Sequence, residues 1–254
     1  MSYDVVFLFS FAMVFIRCSA MMMSSPMFGS QNTPIQIRIF TTLAISGALT
    51  MAVQPNIGKP PADMYGLAAF ALQEAVAGLL IGTFVSFALQ AAQMAGSIMD
   101  SQLGLSLSQV LNPVNGVSVT ILSQFKYMLA IVVLFQMNGH HMMIQAFAHS
   151  YTSVPTLSNA TLSAVSTGLV SMLGSVSLLA LQIATPVLGV SLIIDAALGL
   201  MSKAVPQMQV FIVGMPAKTA VGLMAVGMTI PALTGAVTTG VNLALVNLSH
   251  VFKV

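Results

Sequence analysis

Apolar residues run along this chain in long blocks, and short clusters of Pro, Gly, Asn and Ser separate them. The blocks predict helices near 4–23, 35–53, 65–99, 117–137 and 161–200, and a last one over 208–250 with a break. A membrane-crossing helix takes roughly 20 apolar residues. The stretches 65–99 and 161–200 exceed that, so each is expected to kink or to fold as a hairpin. Pro186 removes a backbone donor inside the second, and Pro231 is expected to divide the last block in two. The connectors carry turn chemistry: 24–34 with two prolines, 54–61 with three, Asn112-Pro113-Val114-Asn115-Gly116, and Asn138-Gly139-His140-His141.

Composition moves this pattern out of water. Hydrophobic residues make up 57% of the chain and charged residues 5%, with no Trp. About a quarter of the residues in soluble domains are charged. From Tyr127 to Ile194 there is no formal charge at all. A soluble domain needs surface charge to stay dispersed, so the chain belongs in a bilayer or inside an assembly that conceals it equally well. The expected fold is all-α, a single 1–254 domain of membrane-length helices. The net charge of +2 is spread singly and forms no basic patch, which excludes nucleic-acid binding. The basic residues fall on several connectors, so no membrane orientation follows. Asp4 precedes the run Val5–Ile16 and Arg17 closes it, the reverse of a cleaved signal, so the segment reads as a retained first helix. The single cysteine, Cys18, reads as a small buried filler.

Against this apolar background the charges need explaining. Arg17, Arg38, Glu74, Lys126 and Asp195 all fall inside apolar segments, and each must face protein, water or an opposite charge. They are far apart in sequence, which favours structural ion pairing within or between subunits over a proton or ion path. His140, His141 and His149 lack the further ligands a metal would want, and adjacent positions face different sides of a helix. A loop or helix-end role suits them better. Twenty Met residues, including Met21-Met22-Met23, serve either as leucine substitutes or as a deformable contact. Gly78-Leu79-Leu80-Ile81-Gly82 is a GxxxG match, and Ala88, Ala92 and Gly96 continue small residues at four-residue spacing. In an apolar medium this predicts a close helix–helix contact. No nucleophile–base pair, phosphate loop or paired carboxylate site is evident, so neither an enzyme nor a cofactor is expected.

Several motifs, taken in order, resemble the FliR family of the flagellar type III export apparatus, called SctT in virulence secretion. The most specific is Gly199-Leu200-Met201-Ser202-Lys203-Ala204-Val205-Pro206-Gln207, followed by Phe211 and Gly214-Met215-Pro216. It is similar to the family's Gly-Leu pair, basic residue, Ala-x-Pro-Gln, Phe and Gly-x-Pro. Asn138-Gly139-His140 resembles an Asn-Gly-His that ends an earlier family helix. Gln102-Leu103-Gly104-Leu105-Ser106 resembles Gln-Met-Gly-x-Ser, and Arg17 with Pro26 and Pro34 with Arg38 fit the N-terminal pattern. The resemblance covers nearly the whole chain. Two departures stand out: Ser97 where the family commonly has Glu in Ala-Gly-Glu, and Asn112 where it has Asp before Pro. Asp100, one turn after Ser97, is a candidate to supply the missing carboxylate.

The resemblance implies a core subunit of an export gate, built with FliP-like and FliQ-like subunits and associated with FlhB-like and FlhA-like proteins. Its setting would be the bacterial inner membrane at the flagellar basal body, in contact with lipid. It implies kinked helical hairpins in a hetero-oligomeric helical assembly, much of it raised toward the periplasmic side. Unfolded secretion substrates would pass through it, and flagellar export fits better than virulence secretion. The segment 104–118 is uncharged and rich in small and amide residues, and the resemblance implies that Gly104, Leu105, Ser106, Leu107, Asn112, Pro113, Val114, Asn115 and Gly116 form a loop that plugs the closed channel. Arg17, Arg38, Glu74, Asp100, Lys126 and Asp195 would be buried charges that hold the assembly. Two other readings stay open. One is an ion-coupled transporter of a small solute using Glu74, Asp100 and Asp195. The other is a purely structural scaffold that nucleates the gate.

Overall fold

The computed structural model describes residues 3–29, 33–53, 57, 60, 61, 63–106, 120–153, 159–204 and 210–252. Among these, every regular element is an α-helix: α1 (Tyr3–Ser24), α2 (Ile35–Val53), α3 (Met64–Gln102), α4 (Ile121–Gln136), α5 (Gly139–Ser153), α6 (Asn159–Ala204), α7 (Val210–Met228) and α8 (Ile230–Phe252). Among the described residues, five helices are long and apolar enough to cross a membrane, or up to six spans if α4 and α5, bent by 68° at their junction, count as one. The expected all-α, membrane-type fold is therefore the observed one.

Turn chemistry sets the ends. α2 starts after Pro34, whose carbonyl accepts the Arg38 N–H at 3.3 Å. α3 ends in a glycine cap: the Gly104 N–H bonds the Ser101 carbonyl and the Leu105 N–H bonds the Asp100 carbonyl, with Gly104 at φ 75°. That double bond is the Schellman arrangement, which needs a left-handed residue at this position. Asn138 takes the same left-handed conformation (φ 58°) at the α4–α5 corner, and its carbonyl accepts the first N–H groups of α5 from His141 and Met142.

Three expectations change. The block 65–99 forms one 39-residue helix, and α6 continues for 46 residues through Pro186, so neither folds back as a hairpin. Continuing the helix leaves one carbonyl without its donor, whereas a fold-back would strand several backbone groups in apolar surroundings. The connector expected at 138–141 is a corner of two residues, Met137 and Asn138, because α5 begins at Gly139. Polar residues such as Gln145, His149 and Ser150 hid this helix from an apolar pattern. The break near Pro231 is present, at Thr229.

The chain divides into two compact units. One comprises Met1–Phe87, Phe135–Leu173 and Val241–Val254, and the other Ala88–Leu134 and Gly174–Gly240. The first unit centres on α1, α3 and α5, with Val14, Cys18, Ile81, Phe84 and Phe147 all fully buried. Met21 and Met22 belong to this core, while Met23 is exposed, so two of the three consecutive methionines act as ordinary core residues. Here the GxxxG contact is real. A Cβ on Gly78 would strike the Arg17 carbonyl, and one on Gly82 would lie 2.6 Å from the Met21 carbonyl. The second unit repeats the device: Gly96 admits the backbone of Leu122 and Ser123, and Gly240 lies against Ala88.

Candidate functional site

Two buried charged sites are anchored on α3, one in each unit. In the first unit, Arg17 of α1 donates from Nε to Glu74 Oε2 at 2.6 Å and from Nη2 to Oε1 at 2.9 Å. Arg17 Nη1 donates to Ser150 Oγ at 2.8 Å, and the Tyr151 hydroxyl donates to Glu74 Oε2 at 3.0 Å. The Arg17 guanidinium also lies 3.7 Å from the centre of the Tyr151 ring. All four side chains are buried. The two-pronged pairing and the extra bonds are what a desolvated ion pair needs to persist. No spacing in the sequence marked Ser150 and Tyr151 as partners, because they lie more than 130 residues from Arg17 on a helix the pattern missed.

In the second unit, Asp100 is fully buried and forms no ion pair among the described residues. Its Oδ2 accepts the N–H groups of Leu122 at 2.9 Å and Ser123 at 3.2 Å, in the first turn of α4. The positive end of the helix dipole and the unsatisfied amides there stabilise an anion. Its Oδ1 has no hydrogen-bond partner among the described residues. Ser97 is half-buried and donates to the Met94 carbonyl of its own helix.

Lys126 is equally buried, and its ammonium donates to the Val226 carbonyl at 3.3 Å and to the Thr229 hydroxyl. These acceptors sit at the C-terminal end of α7, the negative end of its dipole. Asp195 faces an opposite charge without being buried. It lies on an outward face of α6 with 48% of its side chain exposed, and Lys218 of α7 neutralises it at 2.8 Å. The pair is matched in charge rather than hidden. Arg38 is likewise only half-buried, in the first turn of α2.

A cavity of about 490 Å³ lies in the second unit beside the α3 cap, lined in part by Gly104, Ser106, Asp195, Ser202, Gly214 and Lys218. It brings the start of the expected plug, Gly104–Ser106, together with Gly214 of the family motif. Leu107, Asn112, Pro113, Val114, Asn115 and Gly116 lie outside the described residues, as do Pro206 and Gln207. Phe211 lies in α7, where Pro216 sits inside the helix. His140 and His141 sit in the first turn of α5, the helix-end place expected of them, but their rings lie 4.3 Å apart rather than on different sides, because no preceding turn crowds them there.

Sequence comparison agrees with the motifs. The family described as "Bacterial export proteins, family 1" matches residues 8–243. The chain is 31% identical over 222 residues to the flagellar biosynthetic protein FliR of Bacillus subtilis (strain 168), covering 85% of this chain and 83% of that protein. It is 31% identical over 212 residues to FliR of Caulobacter vibrioides, covering 84% of each. It is 30% identical over 165 residues to the surface presentation of antigens protein SpaR of Salmonella typhimurium, covering 65% of this chain and 62% of that one. A family match spanning nearly the whole chain, with relatives named both FliR and SpaR, leads to one conclusion: this chain belongs to family 1 of the bacterial export proteins, the family of FliR and SpaR.

Proposed function

We propose that this chain is a core subunit of the flagellar type III export gate and that it lines, with FliP-like and FliQ-like subunits, the channel taken by unfolded flagellar proteins across the inner membrane. The coarser part, membership of an export apparatus, follows from the family match over residues 8–243, the observation that carries the reading. FlhB-like and FlhA-like proteins are the further partners proposed.

Helix length supports a position beyond a simple bilayer span. α3 has 39 residues and α6 has 46, about twice the roughly 20 that one bilayer crossing takes. The hydrocarbon core of a bilayer is only about 30 Å thick. Helices of this length project well out of it, or tilt strongly, and a periplasmic-side gate accommodates them. Within that gate, we assign the segment from Gly104 to Gly116 as the plug of the closed channel, rooted on the glycine cap of α3.

Mild-detergent purification of the chain co-expressed with its neighbouring genes, followed by native mass measurement, tests the assembly. One discrete complex with FliP-like and FliQ-like subunits is the expected result. A monomer or homodimer in their presence would remove the reading. For the plug, deleting Asn112–Gly116 should raise ion leakage through assembled gates, and unchanged conductance counts against it.

A further inference from the structure

α3 ends at Gln102 and α4 begins at Ile121, and the described residues at both roots of the connection between them are tied to one residue. On the outgoing side the Asp100 carbonyl accepts the Leu105 N–H at 3.0 Å, a bond that the left-handed Gly104 makes possible. On the returning side the Asp100 carboxylate accepts the Leu122 and Ser123 N–H groups. Gly96, one turn earlier on the same face of α3, lets the Ser123 backbone approach closely enough for those bonds. Thr120 precedes α4 and is a residue type that usually caps a helix with its own hydroxyl. Its hydroxyl has no hydrogen-bond partner among the described residues, and the Asp100 carboxylate stands in its place.

We propose that Asp100 is a positioning residue that fastens both roots of the α3–α4 connection and fixes where the chain re-enters α4. Charge-assisted bonds to buried amides are about twice as strong as neutral ones, which suits a carboxylate over a hydroxyl at this point. The inference rests on the plug reading only where it concerns conductance.

Hydrogen exchange of the full chain in lipid nanodiscs, read at Leu122 and Ser123, tests it. Asp100→Ala should speed exchange at these two amides about tenfold, the loss of one helix cap, while the body of α4 beyond Lys126 stays protected. Ser97→Ala should leave both amides as they are. Asp100→Asn keeps an acceptor without the charge, should fall between, and serves where the Ala variant does not fold. Native exchange at the two amides in the Asn variant and in any folded Ala variant overturns the proposal. So does a general loss of protection through the second unit, which would mean a merely structural role. Ion leakage separates the two ideas. Faster exchange with unchanged leakage keeps the clasp and removes the plug, whereas unchanged exchange removes the clasp whatever the leakage.

Discussion

The two charged sites on α3 share one plan and differ in how the charge is compensated. In the first unit Glu74 and Gly78, four residues apart, share a helix face, the glycine admitting the α1 backbone and the acid meeting its arginine. In the second, Gly96 and Asp100 repeat the pair in reverse order, the glycine admitting the start of α4 and the acid meeting its amides. Glu74 is thus balanced by a full opposite charge, and Asp100 by partial charges of the backbone. Lys126 follows the second pattern with the sign inverted, at the end of α7. The difference predicts how each site fails. Removing one member of an ion pair strands the other, whereas removing a charge held by a helix end leaves only a lost cap.

The largest effect should therefore come from Glu74→Ala, which leaves Arg17 buried without its carboxylate at a cost of about 3–5 kcal/mol. Thermal unfolding in detergent would measure it. The double variant Arg17→Met with Glu74→Met should recover most of that loss. If the double variant is no better than the single, the pair is not the source of the loss. Next in size is Gly78→Val. Its neighbour is rigid backbone rather than a flexible side chain, so overpacking should cost about 1–3 kcal/mol. Gly174 has open space around it and makes the contrast: Gly174→Ala should gain up to about 1 kcal/mol from helix propensity. The smallest change should follow Lys126→Met, within about 1 kcal/mol of the native chain or slightly more stable, because an apolar stem replaces a desolvated charge. The Val226 carbonyl keeps its bonds from the Thr229 N–H and hydroxyl. A loss larger than that of Glu74→Ala would reverse the comparison.

Much of this was legible in the sequence for physical reasons. Long uncharged blocks can only be concealed helices, and the four-residue rhythm of Gly78, Gly82 and Gly96 marked the close contacts correctly. Charges inside those blocks had to find partners, and Arg17, Glu74, Lys126 and one oxygen of Asp100 do. Their partners were not legible. Backbone amides carry no sequence signature, so nothing marked Leu122 and Ser123 as the acceptors' counterpart for Asp100. Tyr151 sits on α5, which is too polar to stand out beside its neighbours. The helix breaks were half legible: Pro231 adjoins one, while Pro186 lies inside an uninterrupted helix, because a long helix tolerates one missing bond when the alternative strands more.

The solitary thiol of Cys18 has a practical consequence. It is fully buried between packed helices of the first unit, so alkylating reagents should reach it only when that unit opens. The native chain thus carries its own stopwatch. Its rate of modification reads how often α1 lifts away from α3, and cysteines introduced at exposed positions can be labelled beside it without first removing it.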